Sequence, residues 1–545
     1  AMIIAPCGGG DDDGADDPDP TEQDTAETEA TEPTEPEPTD DGEDTGEAPD
    51  DTGGDDDTTT DGPVVETLPP EDPEDAQPVA GGVLRYGLEA DVDGINPTAS
   101  ALSAPGLMMG NAVFDTLAAI TPEGGAVPYL AESFTPNEDY TQWQVKIREG
   151  ITFHDGTPLD ADAVIVNFES QRAAPLVGLA VRPFFPEENA TEKIDDLTVQ
   201  FNLADANVYF PATVAGQLGM VASPTWLAAA VDDPTLNQAP VGTGPFMFDS
   251  RSQDSVTRFV RNPNWWGGEV YLDAIEFYPV PDPDTMVDLI LGGELEALQT
   301  TDAAAILDLR DADGIESVLD DSGEESFVMI NSTVPPFDDV RARQALAHAT
   351  PIELYLELIG LGVNRAADQR FIPEDPFFNP DLTQVGDDPD TAAALAAEYC
   401  AERGSDENTV LGGPTCTDGK INVEYQWSGP SVVQTRTAEL LDDAWSSAFN
   451  VTFDELLQDE HIQQAALGQY NATLWRQFGA EDPSSDNVWL LCRTVGPISL
   501  NWPRMCDEQR DALLMQAQAT TDQAERISLY QQAEQLINEA YTYIF

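Results

Sequence analysis

Histidine is the side chain most often recruited for proton transfer near neutral pH, and this chain of 545 residues contains three. His154 stands in the turn Phe153-His154-Asp155-Gly156, His348 lies in a helical run over 340–349, and His461 follows the acids of Gln458-Asp459-Glu460. None sits in a His-Glu-x-x-His zinc pattern or a hydrolase triad context, and neither a Gly-x-Ser-x-Gly elbow nor a phosphate loop with its Lys occurs. His154 reads as a turn residue hydrogen-bonded to backbone. No catalytic residue, metal ligand or cofactor is expected, and the chain reads as a non-enzyme. A secreted hydrolase using Glu481 and Asp482 as an acid pair is the competing idea, but among 103 Asp and Glu any two can fall close together.

The elements around these residues are legible from their periodicity. Over 131–169, Trp143, Val145 and Ile147 alternate with Gln144, Lys146 and Arg148, giving a strand with one apolar face. Glu149-Gly150 and Asp155-Gly156 are turns, and Asp160 is placed to cap a helix carrying Val164 and Phe168 on one side. Asp338 or Asp339 caps a second helix, and Thr350-Pro351-Ile352-Glu353 has the form of a capping box. A last helix over 521–541 carries Ile527, Tyr530, Ala533 and Ile537 on one stripe.

Composition narrows the class. The length calls for two or more lobes, and 41% hydrophobic residues permit them. A net charge of −81 argues against nucleic acid or an anionic membrane surface as partner. Residues 1–80 hold 29 of the acids and no Lys or Arg, so the other 465 residues still carry −52. Lys occurs at 146, 193 and 420 alone, which fits either salt adaptation or lineage bias. The stretch 8–78 is Asp, Glu, Thr, Pro and Gly, and reads as an extended, self-repelling tether rather than calcium loops, because the EF-hand spacing is missing. No run of eighteen apolar residues exists, so no membrane-spanning helix is expected.

Of five cysteines, Cys400 with Cys416 and Cys492 with Cys506 are close along the chain, which favours two local disulfides and an oxidising setting. Zinc is the weaker use, since neither pair has knuckle spacing and no His lies near. Cys7 follows a short apolar run and precedes Gly8-Gly9-Gly10, like the end of a lipoprotein signal, although Pro6 fits that poorly and a free thiol is the alternative. Further residues are expected at both ends of the sequence given.

Three blocks, in order, resemble extracytoplasmic solute-binding protein family 5, the peptide and nickel binding proteins of ABC importers: residues 131–169, residues 242–282 with the turn Asn262-Pro263-Asn264-Trp265-Trp266-Gly267-Gly268, and residues 334–360. The resemblance covers about 81–545. It implies a two-lobed α/β periplasmic-binding-protein fold (type II, cluster C) with an extra subdomain. The expected division is a tether over 1–80, a discontinuous first lobe over 81–119, 241–328 and 516–545, a subdomain over 120–240, and a second lobe over 329–515.

It also implies a function: capture of a peptide-like or other small oligomeric solute in the interlobe cleft and delivery to ABC permease and ATPase subunits. The protein would be a monomer outside the cytoplasm, periplasmic or held at the membrane by a lipid on Cys7 only. A sensory or adhesive surface protein on the same scaffold is the alternative. The run 474–483 resembles the family's Trp-x-x-Asp-x-x-Asp-Pro cleft pattern, which makes Trp475 a pocket aromatic and Arg476 its nearest cation. Phe478 stands where peptide-binding members carry the Asp that pairs with a ligand ammonium, so that anchor is missing; Glu481 or Asp482 could supply the charge, or Asp482-Pro483 could simply start a turn. Trp427, Asn501, Trp502 and Tyr86 are further cleft candidates.

Overall fold

The computed structural model describes residues 78–545 apart from 101, 122–124, 320–324, 478 and 481. The expected tether and Cys7 therefore lie outside the described residues.

Three main sheets organise the chain. The first runs in the order Ala297–Leu298, Val83–Leu88, Ala274–Pro279, Val256–Arg261, Phe246–Ser252. Val83–Leu88 is parallel to both its neighbours, while the last three strands form antiparallel pairs. The Asn262–Gly268 turn joins two of these strands, as its Pro and Gly content predicts.

An antiparallel four-stranded sheet forms the subdomain, in the order Ala131–Pro136, Gln142–Ile147, Thr198–Asn202, Thr191–Asp195. The expected alternation is observed: Trp143, Val145 and Ile147 are buried and the residues between them exposed. They pack in one core with Val164 and Phe168 of the helix Ala161–Ala173, where Phe168 meets Phe185 and Phe201 edge-on at 4.7 and 5.3 Å. Asp160 caps that helix, accepting from the Ala163 amide at 3.0 Å.

The second lobe's sheet runs Cys416–Thr417, Lys420–Ser428, Ala472–Gln477, Glu325–Ile330, Tyr543–Ile544, with Phe449–Leu456 beside Lys420–Ser428. Val328 and Ile330 face one core, shared with the helices Val340–Ala349, Pro389–Arg403 and Val432–Trp445. Phe327 and Met329 face the other, shared with Glu508–Ala519 and Gln523–Ala540. A strand buried on both faces reads as a continuous apolar run, and Phe327 to Ile330 does.

Several expectations change. The segment 516–545 packs on the second sheet rather than the first: Leu529, Tyr530, Ala533 and Ile537 share a core with Phe327 and Met329, and Tyr543–Ile544 pairs with Val328–Met329. The second lobe's sheet also starts at Glu325, a few residues earlier than expected. The last helix is Gln523–Ala540, capped by Asp522, with Ile527 only partly buried. Thr350 forms no capping box: its hydroxyl donates to the Leu346 carbonyl at 2.8 Å and accepts from the Trp445 indole at 3.1 Å. Asp339, not Asp338, caps Val340–Ala349.

Cys400–Cys416 and Cys492–Cys506 are bonded, the first tying a helix to a strand, the second closing the loop that holds Asn501 and Trp502. Among the described residues no helix is long and apolar enough to cross a membrane.

Candidate functional site

A cavity of ≈ 2160 Å³ lies between the first lobe, the subdomain and the second lobe. Ligand pockets usually occupy about 300–1,000 Å³, so this one has room for more than a dipeptide-sized body.

Its second-lobe wall is an aromatic row. His461 and Trp475 have ring centroids 5.1 Å apart, Trp475 and Trp502 are 5.2 Å apart, and Trp502 stacks on Trp489 at 5.6 Å. The strand Ala472–Gln477 supplies Trp475 and the disulfide-closed loop Trp502, while His461 comes from the helix Gln458–Leu467 and Trp489 from the short helix Asn487–Leu490. The Gln477 carboxamide oxygen fixes the row by accepting from the Trp475 and Trp502 indoles, each at 3.1 Å. His461 is buried, with its Nε2 on the Thr473 hydroxyl, and burial pulls it down to about 4, so the ring is neutral at physiological pH. A neutral imidazole beside indoles extends an apolar surface rather than adding charge.

Arg476 points from this strand across to the first lobe. Its Nη1 donates to the Thr301 hydroxyl at 2.8 Å, and its Nη2 lies 3.9 Å from Glu89, which itself accepts from Thr301. Tyr86 reaches the cavity from Val83–Leu88, packed on Phe277 at 5.8 Å, and burial pushes its phenol up.

The structure thus brings Trp475, Arg476, Trp502 and Tyr86 to the cavity and leaves Trp427 and Asn501 behind it. Trp427 is buried in the second-lobe core between Tyr425 and Phe453, because its strand turns that side toward the helices. Asn501 is 1% exposed, and its amide holds the carbonyls of Leu490 and Met505, a brace for the loop carrying Trp502. Phe478 and Glu481 lie outside the described residues. Asp482 offers no ligand charge: it accepts two bonds from Arg526, at 2.7 and 2.8 Å, and others from Ser484. His154 is held by backbone, with Nε2 3.0 Å from the Gly244 carbonyl and Nδ1 accepting from Gly242, which ties the subdomain hairpin to residues 242–244. Among the described residues no group of His, Cys, Asp or Glu is arranged to hold a metal.

Two wall residues had no signal in the sequence. Trp489 joins the row only through packing. Glu325 opens the central strand, pairs in register with Gln477 and lines the cavity, yet its Oε2 is buried without a hydrogen-bond partner. Burial pushes its carboxyl up to about 9, so it is neutral at pH 7.

The family described as "Bacterial extracellular solute-binding proteins, family 5 Middle" matches residues 125–496, more than half of the chain. The chain belongs to this family. Di/tripeptide-binding protein 2 of Pseudomonas aeruginosa is similar at 25% identity, covering 78% of this chain and 82% of that protein. Heme-binding protein A of Haemophilus influenzae is also 25% identical, covering 76% and 78%. The periplasmic binding protein DppA of Helicobacter pylori, solved with the peptide STSA, superposes with a TM-score of 0.75 at 20% identity, covering 86% and 92%, which shows the fold. These relatives are named as binding proteins. As an extracellular solute-binding protein, this chain carries its large cavity where two lobes meet.

Proposed function

We propose that this solute-binding protein captures a peptide-like or other small oligomeric solute in the interlobe cavity and delivers it to the membrane permease of an ABC importer. The observation that carries the reading is the ≈ 2160 Å³ cavity with its braced aromatic wall, in a chain of this family. Trp475 and Trp502 form the platform, Tyr86 faces them from the first lobe, and Arg476 links the lobes through Thr301. Solute bound between the walls shifts the hinge equilibrium toward the closed form, and differential affinity for that form is what a permease can select. The protein acts as a monomer outside the cytoplasm, with Cys7 as its lipid attachment; the two disulfides support an oxidising location.

A thermal-shift screen of the full chain against di- to pentapeptides, oligosaccharides, haem and nickel chelates tests this. The expected result is a reproducible rise in melting temperature for one solute class, lost in Trp475→Ala. A folded protein that shifts with none of them overturns the reading.

A further inference from the structure

His461 is the ring of the aromatic row that has a nitrogen able to accept a hydrogen bond, and its partners fix which nitrogen that is. The helix Gln458–Leu467 brings it to the cavity beside Trp475. Its Nε2 meets the Thr473 hydroxyl. That hydroxyl has one hydrogen and two carbonyl oxygens close by, Gln426 at 3.0 Å and Leu474 at 3.3 Å, and a carbonyl can only accept. The hydrogen therefore goes to Gln426, since otherwise two bare oxygens would face each other inside the sheet. Thr473 is left to accept from the ring. So Nε2 carries the imidazole proton, and Nδ1 is the unprotonated nitrogen.

Nδ1 has no donor among the described residues, in a side chain that is 4% exposed. The unpaired Glu325 oxygen is sealed in, whereas Nδ1 keeps an opening, on a ring that lines the cavity. The neighbouring indoles offer nothing polar, because Trp475 and Trp502 both spend their N–H on Gln477. An acceptor held in place in an otherwise apolar wall is wetted when the cleft is empty and loses that water when a solute covers it. Only a donor on the solute offsets the loss. The imidazole is neutral, since burial pulls it down to about 4, and a neutral ring among indoles suits an uncharged donor.

We propose that His461 Nδ1 is a recognition atom of the cleft, accepting a hydrogen bond from an uncharged N–H or O–H of a solute whose flat apolar face lies on Trp475 and Trp502. The class selected is a ring, aromatic or saturated, with such a donor at its edge. Thr473 is the positioning residue: by accepting from Nε2 it holds the tautomer that leaves Nδ1 bare. This inference deepens the receptor reading above and rests on it.

The test uses the full chain labelled at the histidine nitrogens, with two pairs of probes: indole and N-methylindole, phenol and anisole. Each pair differs in one donor hydrogen replaced by methyl. Single His154→Gln and His348→Gln variants assign the remaining nuclear magnetic resonance signals to His461, so the reading needs no substitution at 461 to fold. Without probe, His461 should show a protonated Nε2 and an unprotonated Nδ1 at neutral pH. Indole and phenol should move the Nδ1 resonance toward that of a hydrogen-bonded acceptor and bind at least about fivefold tighter than their methylated twins. His461→Phe should bring each pair to within about twofold, whereas Trp475→Ala weakens both members alike. A protonated Nδ1, an Nδ1 unmoved by the donors, or a preference that survives His461→Phe overturns the inference and leaves the receptor standing. So does an Nδ1 that responds to nickel chloride and to neither donor, which makes it a metal ligand, and so does binding of other screened solutes with none of the four probes. A folded protein that binds nothing in the screen overturns both.

Discussion

Asp115 and Glu325 are both carboxyl groups removed from water, and their surroundings treat them in opposite ways. Asp115, 3% exposed, accepts from the Tyr129 hydroxyl at 3.1 Å, the Thr243 hydroxyl at 2.9 Å, and the Trp265 and Trp266 indoles at 3.4 and 2.7 Å. Those donors come from the subdomain, from residues 242–244 and from the Asn262–Gly268 turn, so one side chain pins three pieces of chain. Glu325 keeps an oxygen with no donor, at the wall of the large cavity. The contrast separates two uses of a buried acid. A saturated carboxylate is architecture that can stay charged, whereas one enclosed and left short of a donor is held neutral by its burial.

The largest effect is expected at Asp115. Asp115→Ala strands four donors, and the expected loss is on the order of 4 kcal/mol in urea denaturation. A loss below about 1 kcal/mol would show that the hub is ornamental.

Removing the second disulfide with Cys492→Ser and Cys506→Ser together opens a loop of about fifteen residues and should cost about 3 kcal/mol. Because that loop presents Trp502, tryptophan fluorescence should also change while the far-ultraviolet circular dichroism holds.

Glu325→Gln should go the other way. The folded protein raises this carboxyl to about 9, above its unfolded value, so its stabilising contribution is complete below the unfolded value and is lost as pH rises toward 9. At pH 7 the variant is expected to be about 2 kcal/mol more stable, the full linkage being reduced by the amide it must bury. Denaturation curves between pH 5 and 9 check this: the unsubstituted protein should weaken with rising pH and the variant should be flatter.

The smallest effect is expected from Arg476→Ala. Its side chain is 41% exposed, so its bonds to Thr301 and Glu89 contribute less than about 1 kcal/mol to folding. Its role is to join the lobes, and small-angle scattering should show a larger radius of gyration for the variant without ligand.

Much of the fold was written in local pattern. The alternation of 142–147, the Asp160 cap, the turns and both cysteine pairs depend on residues near one another in sequence, and all appear as expected. Where a second partner decides, the pattern misled. Thr350 has the sequence of a cap but meets Trp445, far along the chain, and turns its hydroxyl back into the preceding helix. The terminal helix showed its apolar stripe plainly, but a stripe does not say which sheet it covers; Phe327 and Met329 supplied that answer.

The site divides along the same line. Trp475 could be marked because it sits in a recognisable run of residues. Trp427 looked equivalent at the end of its strand, yet which face an aromatic turns to depends on strand pairing, and pairing buried it.

The sequence by itself determined the family, the two-lobed α/β class and the acidic character. These are properties of order and composition, carried by each residue wherever it lies. Only the tertiary structure decided that Glu325 stands across from Gln477, that Trp489 completes the aromatic row, and that Asp482 is engaged by Arg526. Each depends on strand register or on contacts between distant segments. A carboxylate among 103 acids has no meaning until its neighbours are fixed, because burial and hydrogen-bond partners, not residue type, set whether it is charged and what it can hold.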